Sequence, residues 1–335
     1  MSRWAPDPHA GLPVARGDEG DSPRPSLRRP STRLSVPWWA RTVPYFLSAV
    51  FFLSAVFAVF SPLPLLFAFF KEGRKWAWVA VITNSAIVAG ASWFTGGGSA
   101  GLWTSLGGYA VSSIILAMVL SELLSAKISV EKSILGTLLG MALATVTALA
   151  LYGRVHHVQP WHVVVDHVKS SIEYLAQSLT QTAGEVDVEE WKESLLLEFP
   201  SAVAIFALVL VWANFVLFFR LNVAGFRQRV GLGADWLRNW KASELLVWPT
   251  IASGFVMLWN DGAAGNVALG VFKFLMAIYA IQGLSILSFF FEHWGIRGFI
   301  RSAGFLLALF FMLPLLLSLG FFDLWFDFRG KFRQS

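Results

Sequence analysis

Four polar side chains stand inside long apolar stretches of the sequence, where two kinds of chemistry are open to them. Asn84, Tyr109, Asn214 and Gln282 carry amide or hydroxyl groups that donate and accept hydrogen bonds. If the four converge on one cavity, they form a binding site for a small molecule; if each bonds to a neighbouring helix, they hold helices together. Both interpretations stay open for Gln282, the most central of the four. Lys273 lies in the same run, and we expect its ammonium group to extend to the interface.

The composition indicates which solvent surrounds those stretches. Hydrophobic residues make up 56% of the 335 residues, charged residues only 14%, and the mean hydropathy is +0.61. One soluble core cannot bury so much apolar surface, so we expect the lipid bilayer as the main partner. The net charge of +5 lies largely in loops and in the N-terminal region, a distribution typical of membrane proteins, and we expect no nucleic acid.

The apolar runs predict an all-α fold, a polytopic transmembrane helical bundle of eight or nine spans. Most of the eight clear runs approach the roughly 20 residues that cross the hydrocarbon core: they are 44–60, 76–94, 102–124, 134–152, 201–219, 245–259, 267–291 and 299–322. A ninth run, "SPLPLLFAFF" at 61–70, is short and proline-led. It predicts either a half-helix that returns from the far side or the end of a broken first span.

Composition divides the chain into five regions. Residues 1–42 are predicted to be a disordered, basic cytoplasmic tail, residues 43–152 and 200–328 to hold the transmembrane helices, residues 153–199 to form an acidic amphipathic outer loop, and residues 329–335 a short tail. The basic loops all lie inside only if the run 61–70 counts as a crossing. The basic C-terminal tail then falls outside, unless the last segment folds back at Pro314, and the sequence leaves both alternatives open.

Small residues mark one predicted packing surface. Gly136, Gly140, Ala144 and Ala148 recur every four residues and form a smooth strip that lets a neighbouring backbone approach closely. The strip suits a helix of the same chain or a helix of a partner subunit.

The residue patterns do not favour catalysis. The sequence contains neither of the motifs HExxH and GxxxxGK[ST], and no cysteine. Histidines crowd the start of the outer loop at positions 156, 157, 162 and 167, but their spacing matches no closed set of metal ligands. We expect no enzyme activity, no cofactor and no metal.

The second half of the sequence resembles a known family. The stretch "NVALGVFKFLMAIYAIQGLSILSFFFEHWG", preceded by "FPSAVAIFALVLVWANFVLFFR" and followed by "DLWFDFRGK", resembles the YybS-like family of bacterial polytopic membrane proteins. Asn266, the pair Gln282 and Gly283, and the ending from Asp323 to Arg329 carry the resemblance. It implies a protein of the inner membrane and no particular activity.

The first half is similar, more distantly, to the substrate-binding S components of energy-coupling-factor transporters. A basic tail, a proline-led short helix, a "KEGRK" turn and a glycine-rich outer loop carry this similarity. It implies a pocket that is open to the outside and walled by residues 61–64, residues 95–101 and the loop after Gly153. It also implies separate energising subunits, since the chain has no nucleotide-binding motif of its own.

These observations together predict a multi-pass protein of the inner membrane with a cytoplasmic N-terminus. The predicted function is transport-related binding of a small molecule, with separate energising or assembly membrane subunits as partners. The alternative is a membrane scaffold or assembly factor that transports nothing, which explains the packing strip and the amphipathic loop without a pocket.

Overall fold

A computed structural model of the whole chain describes residues 42–95, 98–183, 188–260 and 262–334. Every regular element within those residues is helical, which confirms the all-α prediction. The predicted disordered tail, 1–42, falls outside the described residues except for its last position, so it stays a prediction.

Fifteen numbered helices and four short non-α turns make up the described chain. They are α1 (Pro44–Leu53), a 3-10 turn (Ala58–Phe60), α2 (Pro62–Glu72), α3 (Arg74–Phe94), α4 (Gly98–Tyr109), a π-helical segment (Ala110–Ile115), α5 (Leu116–Ser125), α6 (Val130–His156), α7 (Pro160–Ala183), α8 (Val188–Leu221), a 3-10 turn (Val223–Gly225), α9 (Phe226–Arg229), α10 (Trp236–Asn239), a 3-10 turn (Glu244–Leu246), α11 (Val247–Trp259), α12 (Ala263–His293), α13 (Gly298–Phe311), α14 (Leu313–Phe326) and α15 (Phe328–Gln334).

Five segments of the described chain are long and apolar enough to cross a membrane. They are Arg74–Phe94, Thr104–Ser125, Val130–His156, Leu195–Leu221 and Ala263–His293. The pair α13 and α14 makes a sixth candidate, but it is bent by 95° at its break, and α1 and the segment Glu244–Trp259 are shorter. The predicted runs are therefore helical, yet three of them are short or bent, and the count of eight or nine spans is not confirmed.

α1 and α2 form a hairpin that doubles back within the bundle. The Ser48 hydroxyl in α1 donates to the carbonyl oxygen of Ser61 at 2.6 Å. Tyr45 at the start of α1 lies against Trp76, just beyond the end of α2, with ring centroids 6.3 Å apart. A helix of 10 residues is about 15 Å long, half the thickness of the hydrocarbon core. The predicted proline-led helix is thus present as α2, the returning arm of this N-terminal hairpin.

α13 and α14 make a second reversal near the C-terminus. Pro314 lies in the first turn of α14, where its missing N–H costs no helical hydrogen bond. Beyond α14, Arg329 donates to the main-chain oxygen of Arg238 at 3.0 Å. The chain therefore folds back at Pro314, and its basic tail returns to the basic loop at 220–241.

The basic loops gather at one end of the bundle, which we call the basic end. Arg229 donates to the main-chain oxygen of Phe70 at 2.5 Å, and the indole of Trp240 donates to the carboxylate of Glu131 at 2.9 Å. These contacts bring the loops after α2, α5 and α8 together across more than 100 residues of sequence. The basic loops therefore lie on one side of the bundle.

The apolar core is built around α2, because eight of its 11 residues are buried. Phe70 at its end meets Phe226 with ring centroids 4.9 Å apart, and Phe226 meets Phe218 of α8 at 4.8 Å. Edge-to-face aromatic pairs of this kind add a directional term to the burial of their apolar area. They attach the loop after α8 to the N-terminal hairpin.

Two glycines allow α12 and α14 to cross at backbone contact. A Cβ atom on Gly283 would collide with the main-chain oxygen of Leu316, and one on Gly320 would collide with the main-chain oxygen of Tyr279. Backbone atoms cannot move aside as the end of a flexible side chain can. The crossing therefore requires glycine at both positions, as in other close helix contacts within membranes.

We predict that Gly320→Ala lowers the stability of the protein by at least 1–3 kcal/mol, the usual cost of overpacking. Thermal unfolding in detergent measures the loss. Gly90→Ala on α3 is the matched control, since nothing lies within 4 Å of the added Cβ. Equal midpoints for the two variants would contradict the close crossing.

The reversal at Pro314 predicts that Lys75 and Lys331 face the same compartment, opposite to Trp161 at the start of α7. Because the natural chain has no cysteine, single cysteines at these three positions report sidedness by labelling intact cells with a membrane-impermeant maleimide. We expect labelling of Trp161→Cys and protection of Lys75→Cys and Lys331→Cys. Labelling of Lys331→Cys together with Trp161→Cys would show that the last segment crosses instead of folding back.

Candidate functional site

The structure does not bring the four predicted polar residues to one cavity. Asn84, Tyr109 and Asn214 each contact the N-terminal hairpin, whereas Gln282 lies in the C-terminal half against the loop after α10. All four are fully buried. Their hydrogen bonds run mainly to groups of the same chain, so each first has to be understood as part of the fold.

Asn84 completes the backbone hydrogen bonding of α1. Its Oδ1 accepts from the N–H of Ala49 at 2.7 Å, and its Nδ2 donates to the carbonyl oxygens of Pro44 at 3.0 Å and Ala80 at 2.7 Å. The amide thus bridges two main-chain groups of α1 that lie five residues apart. A side-chain amide in this position links α3 to α1 and keeps no strong hydrogen-bonding capacity for a ligand.

Tyr109 belongs to a chain of buried hydroxyl groups. Its OH lies 2.7 Å from the Ser48 Oγ, which donates to the carbonyl oxygen of Ser61 at 2.6 Å. The Ser61 Oγ lies 2.5 Å from the Ser113 Oγ. Ser113 belongs to the π-helical segment, and such segments are rare and frequently mark functional sites. The hydroxyl chain is an element that sequence analysis did not identify, because its members are 13 to 61 residues apart.

Asn214 joins α8 to the turn of the hairpin. Its Nδ2 donates to the main-chain oxygens of Val59 and Leu210, both at 2.8 Å. Its Oδ1 is buried and has no hydrogen-bond partner among the described residues. A buried acceptor without a partner is costly, so this atom is a candidate ligand group.

Gln282 holds the C-terminal half together. Its Oε1 accepts from the N–H of Ala242 at 3.0 Å, and its Nε2 donates to the Asp323 Oδ2 at 3.1 Å. The position is less central than the sequence indicates, because the loop after α10 reaches into the bundle to meet it. These bonds favour the helix-joining interpretation of this amide.

Asp323 and Arg329 form a buried ion pair that sequence analysis did not assign. The Arg329 Nη2 lies 2.7 Å from the Asp323 Oδ2, and the two side chains are 3% and 0% exposed. The Arg329 Nη1 also donates to the Trp240 carbonyl oxygen at 2.9 Å and to the Ser285 Oγ at 3.3 Å. An aspartate within an apolar helix, six residues before an arginine, is the signal that could have found the pair.

An exposed ion pair also attaches this C-terminal segment to the loop after α10. The Lys241 Nζ lies 2.6 Å from the Asp327 Oδ1, and both side chains are about half exposed. The hydrogen bond from Lys241 is the main cause that holds the pKa of Asp327 below its usual range. The pair is solvent-screened, so it contributes far less than the buried one.

Lys273 is paired at the end of the bundle opposite the basic end. Its Nζ lies 2.7 Å from the Glu198 Oε1, with the two side chains 34% and 49% exposed. We expected the lysine to extend to the interface, and its ammonium group is indeed partly exposed, held there by a carboxylate of α8.

The strip of small residues on α6 has two environments. A Cβ on Gly136 would lie 2.8 Å from a Leu123 side-chain atom, and one on Gly140 would lie 3.6 Å from Ile115, so this half faces α5 and the π-helical segment. Ala144 is partly buried, and Ala148 lines a cavity at the opposite end. The strip therefore packs within the chain over its first half.

The cavity that Ala148 lines is a large apolar one. It has a volume of about 950 Å³ and lies between α4, α6, α7 and the start of the α8 span. Its lining is almost entirely apolar: Thr104, Leu106, Gly107, Ala110, Ala148, Leu149, Leu151, Tyr152, Val155, His156, Val163, Val164, Val168 and Phe199. None of the four predicted site residues lines it, although the loop after Gly153 was predicted as one wall and supplies α7.

A smaller, polar cavity of about 500 Å³ lies at the basic end. Its walls include Arg238, which forms ion pairs with Asp235 and Glu292, and His293. Burial, and then the nearby charge of Arg301, lower the pKa of Arg238. Its charged groups already pair with one another.

Among the described residues, no group of three His, Cys, Asp or Glu side chains could hold a metal ion.

The helical bundle, its long apolar helices and its basic end define a multi-pass membrane protein. The profile of a family described as "Predicted membrane protein (DUF2232)" matches residues 45–324, and the chain belongs to this family. The match includes both reversals and Gln282 but ends before Arg329. No curated protein and no solved structure matches the chain.

We predict that Arg329→Gln destabilises the protein by about 3–5 kcal/mol, since it leaves the Asp323 carboxylate buried without its charge partner. Lys241→Gln, which breaks the exposed pair of the same tail, is the control and should cost less than about 1 kcal/mol. The measurement is the thermal unfolding midpoint of each variant in detergent. Similar midpoints for both variants would show that the buried pair does not hold the tail.

Proposed function

We propose that the protein binds a lipophilic small molecule within the membrane and that its function is related to transport. The apolar cavity of about 950 Å³ between α4, α6 and α7 carries the proposal. Ligand cavities in proteins usually measure 300–1,000 Å³ and are mostly apolar with a few placed polar groups. The cavity matches that description in both respects.

Small residues make the room for the ligand. Gly107, Ala110 and Ala148 line the cavity from two helices, and nothing lies within 4 Å of a Cβ built on Gly107. Larger residues there would fill the space. The small side chains at these positions therefore leave the space between the helices open. The neighbouring Val155 and Leu151 form its apolar wall.

The polar groups of the cavity point to an amphipathic ligand. Thr104, Tyr152 and His156 are its only lining side chains with polar atoms, and the rings of Tyr152 and His156 lie 4.2 Å apart near the end of α6. We infer a ligand with a chain-like apolar body and a small polar head near His156. The internally bonded amides of Asn84 and Gln282 weigh against a strongly polar ligand at those positions.

The amphipathic helix α7 covers one side of the cavity. Val163, Val164 and Val168 of α7 line the cavity, and Val164 and Val168 lie four residues apart on one face of the helix. An amphipathic helix with this spacing lies in the plane of the interface. We therefore place the ligand in the leaflet opposite the basic end.

The proposal extends to topology and partners. We place the protein in the bacterial inner membrane with the N-terminus in the cytoplasm, and count eight membrane-embedded segments, of which the first and last are hairpins; counting α2 separately gives nine. The resemblances to the YybS-like family and to transporter S components agree with a binding role served by separate energising subunits. We propose no catalytic role.

A scaffold or assembly factor is the second candidate. The observation that favours it is the internal hydrogen bonding of Asn84 and Gln282, which makes both amides structural. This function needs no occupant in the apolar cavity, which is where the two candidates differ.

The test is photolabelling in lipid nanodiscs with palmitic acid that carries a diazirine. We expect labelled peptides from α4, α6 and α7, and a decrease of about tenfold, worth 1.4 kcal/mol, in Gly107→Leu, which fills the cavity. Gly90→Leu on α3 is the matched control and should label as the wild type does, because its Cβ is equally unhindered and lies outside the cavity. Uniform labelling of all lipid-facing helices, unchanged by Gly107→Leu, would favour the scaffold.

A further inference from the structure

The cavity between α4, α6 and α7 is apolar over most of its wall and polar at one end. α6 begins near the basic end of the bundle, and its 27 residues make it about 40 Å long, more than the roughly 30 Å of the hydrocarbon core. The last turn of α6, with His156, therefore reaches the head-group layer. Ala148, two turns earlier in the same wall, lies at the depth of the lipid chains. A ligand that fills the cavity thus has an apolar body in the membrane and one end near water.

The connection between α6 and α7 closes tightly around this polar end. His157 follows α6 with a left-handed φ of 56°, and the N–H of Val158 donates to the Gly153 carbonyl oxygen at 3.0 Å. A Cβ on Gly153 would lie 2.7 Å from the main-chain oxygen of Val158 and 2.8 Å from the ring of Pro160. The turn therefore packs directly on a glycine, and α7 starts beside the last turn of α6.

Two side chains at this end of the wall have polar groups that the protein does not use. Tyr152 and His156 lie one helical turn apart, and both line the cavity. Within the part of the chain that the structure describes, neither the Tyr152 hydroxyl nor the His156 imidazole forms a hydrogen bond to another protein group. Both groups can donate a hydrogen bond, and a protonated imidazole can donate two. The polar end of the cavity therefore offers donors to a ligand.

The charges around this end favour an acceptor that is itself ionised. No Asp or Glu side chain is among the described residues that line the cavity, and Arg154 adds a second basic residue to the last turn of α6. The carboxylates of the adjoining helices are Asp166 on α7 and Glu198 on α8, and both lie outside the wall. Glu198 is also paired with Lys273, at 2.7 Å. A hydrogen bond to an ionised acceptor is about twice as strong as one between neutral groups.

We propose that the cavity selects an amphiphile with an acidic head group, a carboxylate or a phosphate, which accepts hydrogen bonds from Tyr152 and His156. The inference rests on the proposed function, since it requires an occupied cavity, and it adds the chemical class of the head group. An ammonium head would meet no carboxylate in the wall, and an alcohol would form only neutral hydrogen bonds with Tyr152. His156 is therefore the residue that determines specificity.

The experiment compares photoprobes that share one hexadecyl chain with a diazirine and differ in the head group: carboxylate, phosphate, alcohol or trimethylammonium. Each probe is photolysed with the full-length protein in phosphatidylcholine nanodiscs at neutral pH. Labelling of the α6 and α7 peptides is divided by labelling of α3, which corrects for the partition of each probe into lipid. We expect this ratio to be about tenfold higher for one or both acidic probes than for the other two. The better acidic probe then shows whether the head is a carboxylate or a phosphate.

His156→Leu should lower the ratio of the acidic probes about tenfold and leave that of the alcohol unchanged. His156→Lys restores a positive charge and should recover most of the acidic labelling. His162→Leu is the matched control, because this histidine of α7 is exposed and lies outside the wall; it should label as the wild type does.

The outcomes separate this inference from the proposed function. Equal ratios for all probes, each still reduced by Gly107→Leu, would overturn the acidic head group and leave the lipophilic ligand in place. A preference for acidic probes that persists in His156→Leu would overturn the role of His156. Ratios that Gly107→Leu does not change would show that the cavity is not the labelled site, and both proposals would then fall.

Discussion

Main-chain polar groups inside an apolar bundle must find partners within the protein, and this requirement explains most of the buried polar residues here. Both ends of the described chain reverse direction within the bundle, and each reversal leaves N–H and C=O groups outside a continuous helix. The amide of Asn84 bonds to main-chain groups of α1, that of Asn214 to the hairpin turn, and that of Gln282 to the loop after α10. Asn214 and Gln282 thus bond to backbone where regular helix is interrupted, whereas Asn84 bonds within α1.

The two reversals satisfy their main-chain polar groups with different kinds of side chain. The N-terminal hairpin uses neutral hydroxyl and amide groups, and it is surrounded by α3, α5 and α8. The C-terminal reversal uses a full ion pair, Asp323 with Arg329, and the guanidinium also bonds to the carbonyl oxygen of Trp240. Burial of the two charges is offset by their pairing, so removal of either partner leaves the other charge buried without compensation.

The sequence predicts where the helices lie along the chain better than it predicts whether each one crosses the bundle or turns back. Hydropathy measures how many apolar residues follow one another, and each of the eight runs contains an α-helix, although those at 44–60 and 299–322 are interrupted. It does not measure whether a run crosses or returns, which depends on contacts such as that between Ser48 and Ser61, 13 residues apart. The role of Gln282 was foreseen as one of two alternatives, because an amide in an apolar run needs a partner. The apolar cavity was not foreseen, since it arises where small residues of α4 and α6, which are far apart in the sequence, come together beside α7.

Arg329 also sets the order in which the molecule is completed during its synthesis. It follows the loop after α10 and helix α12 in the chain, so both are synthesised before the guanidinium that joins them. The C-terminal half is therefore completed only when this residue reaches the bundle, and until then the Asp323 carboxylate lacks its charge partner.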